Sequence, residues 1–231
     1  MVRLFIRNGA CGVEEFFKLV SSESKVAVFL AVYKKDSVTF KELKELFGDT
    51  MEASVVAKRL SEFFAAGILD KLVYNQSSGS QAVYRITQKA IDIVPAFDMM
   101  HSFCSQWLQV ESNDAFEWVT YTKKLLGSRW NARIIWLLFV LRTMRFNELK
   151  NSIEGISFKM LTQQLRCLES EGVVLRTDFE ENPPHIEYSL TEKGEALYRI
   201  LLLVSFWNAK YDPQRAPDEN DDTRCAVNLS I

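Results

Sequence analysis

The chain is 231 residues long, 48% apolar and 25% charged, with a formal net charge of −2 at pH 7. That length allows one or two domains with real cores, and the composition excludes a wholly disordered chain and a uniformly basic nucleic-acid coat. The longest apolar runs, 134–141 and 200–207, are too short to span a bilayer, and the apolar stretch between Arg3 and Arg7 is too short for a signal core, so no membrane association is expected.

In chain order, residues 1–12 read as an irregular lead and 13–20 as a short amphipathic helix. Residues 25–33 are apolar enough for a first buried helix. Thr39 is placed to cap a helix over 40–47, Thr50 or Met51 to open the next, and Gly67 to stop it. Two strands follow, 68–74 and 81–87, joined by a Ser/Gly tip at 75–80. Residues 89–108 read as one long apolar helix with Pro95 tolerated near its start or kinking it. The joint 102–124 contains neither Gly nor Pro and carries Phe103, Trp107, Phe116, Trp118 and Tyr121, so it predicts packed helices, not a tether.

Beyond the joint, Phe146, Leu149 and Ile153 mark a short helix. Leu161, Leu165 and Leu168, spaced four and three, mark one face of another, with Ser157 as its cap and Gly172 just past its end. Strands are predicted over 173–179 and 186–191, with Asn182, Pro183 and Pro184 turning the chain between them, and a long helix over 195–211. Residues 212–222 hold two prolines and five acids against one arginine, the composition of a disordered tail. Helix, turn, helix, then a two-stranded ribbon is the order of a winged helix-turn-helix, a fold that commonly binds DNA.

The first half repeats this order. Phe40, Leu43 and Lys44 fall on Phe146, Leu149 and Lys150 at a shift of 106; Val56, Leu60, Phe63 and Gly67 fall on Leu161, Leu165, Leu168 and Gly172 at 105; Tyr84, Thr87 and Lys89 fall on Tyr188, Thr191 and Lys193 at 104. The expected architecture is mainly α with small β wings (α+β). It comprises two tandem winged helices: a diverged one over 1–110, a second over 111–212, and the acidic tail over 213–231.

The segment 125–150, with Gly127, Arg129 and Trp130 ahead of its first core helix, then GISFKMLTQQLRCLESEGVV, the proline pair and EYSLTEKG, resembles the HxlR family of bacterial and archaeal transcriptional regulators. The resemblance covers roughly 115–211, with a degenerate copy over 11–108. It implies a winged-helix regulator that acts as a dimer, built through its terminal helices so that two recognition helices meet successive major grooves about 34 Å apart. In the first half the Gly-x-Arg-Trp signature is replaced by Ser21, Ser22, Glu23 and Ser24, which weakens the expectation of DNA contact there.

The residues themselves nominate a site. Between Lys123 and Arg166 stand nine basic side chains against two acids, whereas 14–70 holds eight basic against ten acidic. On the helix capped by Ser157, the polar faces carry Lys159, Thr162, Gln163 and Arg166. Gln163 and Arg166 suit adenine and guanine edges; Lys159, Thr162, Arg145, Lys150 and Arg129 suit phosphate. The wing supplies Arg176 and His185 but also Asp178, Glu180, Glu181 and Glu187, a weak composition for minor-groove entry. The bland alternative, an ordinary solvated helix face on a protein-interaction scaffold, uses the same residues without reading DNA.

The four cysteines, Cys11, Cys104, Cys167 and Cys225, are scattered without metal spacing, so no metal or cofactor and a reducing, cytoplasmic setting are expected. In the resembling family a cysteine often precedes a Val-Glu pair and in some members senses oxidants; Cys11 here precedes Gly12, Val13 and Glu14. His101 and His185 match no nucleophile motif, and no enzyme is expected. The wide apolar sets of 195–211 and 89–108 predict an interface: a homodimer on a two-fold site, or, as the alternative, the two helices satisfying each other within one chain.

Overall fold

The computed structural model describes residues 13–76, 79–108 and 114–211; the lead with Cys11 and the acidic tail expected over 213–231 lie outside the described residues. The first unit runs α1 (Val13–Leu19), α2 (Glu23–Lys35), β1 (Ser37–Thr39), α3 (Phe40–Phe47), α4 (Ala53–Ala65), β2 (Leu69–Gln76), β3 (Gly79–Ile86), α5 (Gln88–Ile91) and α6 (Val94–Leu108). The second runs α7 (Ala115–Leu126), α8 (Arg129–Leu141), β4 (Thr143–Arg145), α9 (Phe146–Ser152), α10 (Phe158–Ser170), β5 (Val174–Asp178), β6 (Ile186–Leu190) and α11 (Glu192–Tyr211).

Local chemistry sets the boundaries. Thr39 accepts from the Glu42 amide (3.2 Å) while Glu42 Oε2 accepts from the Thr39 amide (2.7 Å), a reciprocal box at the start of α3. Ser157 Oγ accepts from the Met160 amide and starts α10. Gly67 and Gly172 take φ values of 67° and 68°. Each lets the next amide reach back five residues, Ile68 to the Phe63 carbonyl and Val173 to the Leu168 carbonyl, closing α4 and α10 with the same Schellman motif.

Several expectations need correction. Neither β1 nor β4 was foreseen: three residues are too few to show a period. Each adds a third strand to its wing, giving antiparallel sheets in the orders β1-β3-β2 and β4-β6-β5. The long helix expected over 89–108 is broken into α5 and α6, because Pro95 has no amide to donate and its ring clashes with the carbonyl of Ile91. Helix α4 is opened by Glu52 instead of Thr50 or Met51; a 3-10 turn over Gly48–Thr50 uses the Thr50 hydroxyl on the Phe47 carbonyl. The tip expected at 75–80 is shorter, since Asn75 pairs with Ser80 and Gln76 with Gly79.

The internal repeat extends to atoms. Thr87 Oγ donates to the Gly67 and Ile68 carbonyls, and Thr191 Oγ to those of Gly172 and Val173. Lys89 Nζ donates to the Ala66 carbonyl at 2.9 Å and Lys193 Nζ to that of Glu171 at 2.8 Å. Asp36 and Arg142 hold the same positive-φ turn ahead of β1 and β4.

The two units pack through α6 on α11, α1 on α11 and α7 on α6, a reciprocal set of contacts about a pseudo-two-fold. Ile93, Phe97, Met100 and Phe103 are buried, as are Leu197, Ile200, Leu201, Val204 and Trp207. The apolar sets expected to seek a partner are therefore largely covered within one chain. Across this joint Trp207 Nε1 donates to the Lys89 carbonyl at 2.6 Å, and Tyr211 Oη donates to Asp92 at 2.6 Å. Lys210, then Tyr211 and Gln88, hold the Asp92 carboxyl well below the usual carboxylate range.

Candidate nucleic-acid interface

Leu161, Leu165 and Leu168 seat α10 in the core of the second unit. That leaves Lys159, Gln163 and Arg166, spaced four and three, as one outward stripe on the opposite side of the helix. All three are exposed and form no hydrogen bond or ion pair among the described residues. The other two candidates on this helix are engaged locally. Ser157 Oγ accepts in its cap and keeps its hydroxyl proton, whereas Thr162 donates its proton to the Phe158 carbonyl at 2.8 Å and keeps only acceptor capacity.

Around the stripe, β4 and α9 bring in Arg145 and Lys150. Lys150 Nζ stands 5.4 Å from the centre of the Phe158 ring. Phe158, the first residue of α10, is 62% exposed and stacked on Phe146 at 5.8 Å, so an aromatic platform flanks the cationic stripe. Sequence reasoning placed Phe158 on an outer face but gave it no role; an aromatic at the first position of a helix, with a lysine eight residues upstream, was the available signal. Arg129, at the start of α8, is exposed and lies 4.1 Å over the Trp130 ring.

The wing rises beside the far end of the stripe. Phe146, Thr162, Leu165, Arg166, Glu169, Arg176 and Tyr188 line a cleft of about 280 Å³ between α10 and the sheet. The wing acids are not bare: Arg176 Nη2 donates to Asp178 at 3.2 Å, and His185 contacts Glu181 at 2.9 Å and Glu187 at 2.8 Å. Arg145 Nη2 lies 2.9 Å from His185 Nε2, so the structure joins two candidates forty residues apart in the chain. Glu187, then Glu181, push the His185 imidazole above its ordinary value.

The matching surface of the first unit is built from different material. Where α10 offers Lys159, Thr162, Gln163, Arg166 and Glu169, α4 has Ser54, Ala57, Lys58, Ser61 and Phe64, so that the exposed Lys58 is the one cation at these positions and Phe64 is 50% exposed. Arg59 is spent on Ser24 and Glu62, and Lys44, the counterpart of Lys150, donates to the carbonyls of Gly48 and Met51. Among the described residues no cluster of His, Cys, Asp or Glu suits a metal ion, and no helix is long and apolar enough to cross a membrane.

Comparison with known proteins finds relatives for both units. The model of the HxlR-like helix-turn-helix family matches twice, over residues 19–112 and 125–216. An uncharacterized HTH-type transcriptional regulator of Halalkalibacterium halodurans is 42% identical over 90 residues, which is 39% of this chain and 80% of that protein. The uncharacterized HTH-type transcriptional regulator YvaP of Bacillus subtilis is 41% identical over 90 residues, 38% of this chain and 82% of its own length. Among solved structures, the reduced form of the transcriptional regulator YodB from B. subtilis is 35% identical with a TM-score of 0.39, covering 43% of this chain and 95% of that one.

Proposed function

The chain belongs to the HxlR-like helix-turn-helix family, in two copies, and on that premise we propose that it is a transcriptional regulator that binds double-stranded DNA through its second unit. The observation that carries this reading is the unpartnered stripe of Lys159, Gln163 and Arg166 on α10, framed by Arg145, Lys150 and the wing. In the major groove, Gln163 and Arg166 read base edges; Lys159, Arg145, Lys150 and Arg129 hold phosphates, with the free hydroxyl proton of Ser157 as a further phosphate donor, Thr162 as an acceptor for a base amino group, and Arg176 and His185 at the wing. The function is binding and not catalysis.

The same reading makes one chain the two-headed unit. The terminal helices from which a homodimer would be built already cover each other, which favours the intrachain pseudo-dimer, with unit limits near 110 and 212, over the expected homodimer. The second head is a weaker reader: α4 has serines where α10 has Lys159 and Arg166, keeps Lys58 at the Gln163 position, and has Arg59 and Lys44 consumed internally, which supports a structural or low-affinity role for it. In the scaffold alternative the α10 stripe would have no base preference. Binding-site selection followed by titration of Gln163→Ala tests this. We expect a loss of about 1–3 kcal/mol at one base position with relaxed preference there. Unchanged preference and affinity would remove the base-reading role.

A further inference from the structure

We propose that His185 is a proton-operated latch on Arg145: the protonated imidazole takes Glu187 and frees the arginine for a DNA phosphate, and the neutral imidazole holds the arginine against the wing. The proposal rests on the DNA-binding reading above and adds a regulation to it. Its basis is a conflict at one atom. His185 Nε2 lies 2.8 Å from Glu187 Oε1 and 2.9 Å from Arg145 Nη2. A carboxylate can only accept and a guanidinium can only donate, so one ring nitrogen cannot satisfy both. With a proton, Nε2 donates to Glu187 and meets Arg145 donor to donor. Without it, Nε2 accepts from Arg145 and meets Glu187 lone pair to lone pair.

The surroundings bias both states. Arg145 and Glu187 are directly opposed on β4 and β6, so when the imidazole lets Glu187 go, that carboxylate is in place to hold Arg145. On the other side of the ring, Nδ1 is 2.9 Å from Glu181 Oε2, which keeps this nitrogen protonated in either state. Phe179 packs on the imidazole at 4.5 Å and its amide donates to the His185 carbonyl at 3.0 Å, so the ring is held in place while its proton changes. From α9, Glu148 accepts from the Arg145 backbone amide at 2.7 Å and fixes the base of that side chain. The charged groups facing the imidazole are thus Glu187 on β6, Glu181 in the wing loop and Arg145 on β4, with Glu148 behind.

The direction follows. Because the two carboxylates favour the imidazolium, the exchange lies above the ordinary histidine value of about 6.5. Below it Arg145 is released and two wing carboxylates are bridged by a cation. Above it Arg145 is sequestered and the wing turns more acidic toward the phosphates. DNA affinity therefore falls as pH rises through the His185 transition.

The test is a DNA titration with the full chain at fixed salt from pH 6 to 8.5, for wild type, His185→Gln and Arg145→Ala. The expected result is a wild-type affinity that drops by about tenfold, the size of one charge-assisted contact, and nearly flat profiles for both variants. A flat wild-type profile overturns the latch. So does an Arg145→Ala profile as steep as wild type, which would mean that the histidine charge acts alone. Binding that is absent at every pH would instead sink the DNA-binding reading. The latch is then judged in the free protein by nuclear magnetic resonance: an Arg145 Nε–H signal that follows the His185 titration supports it, and one that ignores it overturns it.

Discussion

At the scale of single residues, partners matter more than residue type. Arg59 and Arg166 are both arginines on the helix just before the hairpin of a winged unit, α4 and α10, yet Arg59 is bound to Glu62 at 2.9 Å and to Ser24 at 3.0 Å, while Arg166 is exposed and unpaired among the described residues. Lys44 and Lys150 repeat the contrast, one closing a loop and the other standing over Phe158. A cation already satisfied by protein must break that contact before it can meet phosphate, so only the second set is available at low cost. Lys159 is a clean case, exposed and opposite the core face of α10. Lys159→Ala should weaken binding to all DNA sequences alike and reduce the slope of log affinity against log salt by about one. Fluorescence anisotropy at four salt concentrations measures it, and an unchanged slope would take Lys159 out of the phosphate contacts.

At the scale of elements, the position of α10 relative to the wing depends on a tight joint. Gly194, buried near the start of α11, lies where an added Cβ would stand 2.3 Å from the Val173 carbonyl oxygen and 3.0 Å from Leu190 Cδ2. The carbonyl belongs to the residue that follows the Schellman glycine of α10, so backbone, not a flexible side chain, must move. The corresponding residue of the first unit is Ala90, fully buried, so that joint accommodates a methyl group where this one does not. Gly194→Ala is expected to destabilise by about 1–3 kcal/mol, the usual cost of overpacking, measured by urea unfolding. A variant as stable as wild type would mean that the joint is looser than its geometry implies.

At the scale of the whole molecule, reciprocal packing of α1 on α11 and α7 on α6 puts two winged units about one pseudo-axis. In a symmetric dimer every change is copied to both heads. A tandem chain can alter one head alone, and α4 carries Ser54 and Ser61 where α10 carries Lys159 and Arg166. We expect light scattering to give one particle near 26.6 kDa and a footprint dominated by a single half-site. A stable particle of twice that mass protecting a two-fold symmetric site would return the homodimer.

The periodicity of leucines, the Ser157 cap and the stop at Gly172 already placed α10 to within a residue, because helix boundaries depend on side chains a few positions apart. The repeat was legible for the same reason: its markers, Gly67 and Gly172, Thr87 and Thr191, Lys89 and Lys193, recur at nearly constant spacing. The short strands β1 and β4 were not legible, since each exists only by pairing with a strand more than forty residues away. Composition likewise named the basic segment and nominated Arg145 and His185 separately, but their meeting at 2.9 Å is a product of the sheet register that lays β4 against β6. The apolar faces of 89–108 and 195–211 follow from sequence; that they cover each other inside one chain was decided by the tertiary structure, because burying apolar surface has no preference for which partner does it.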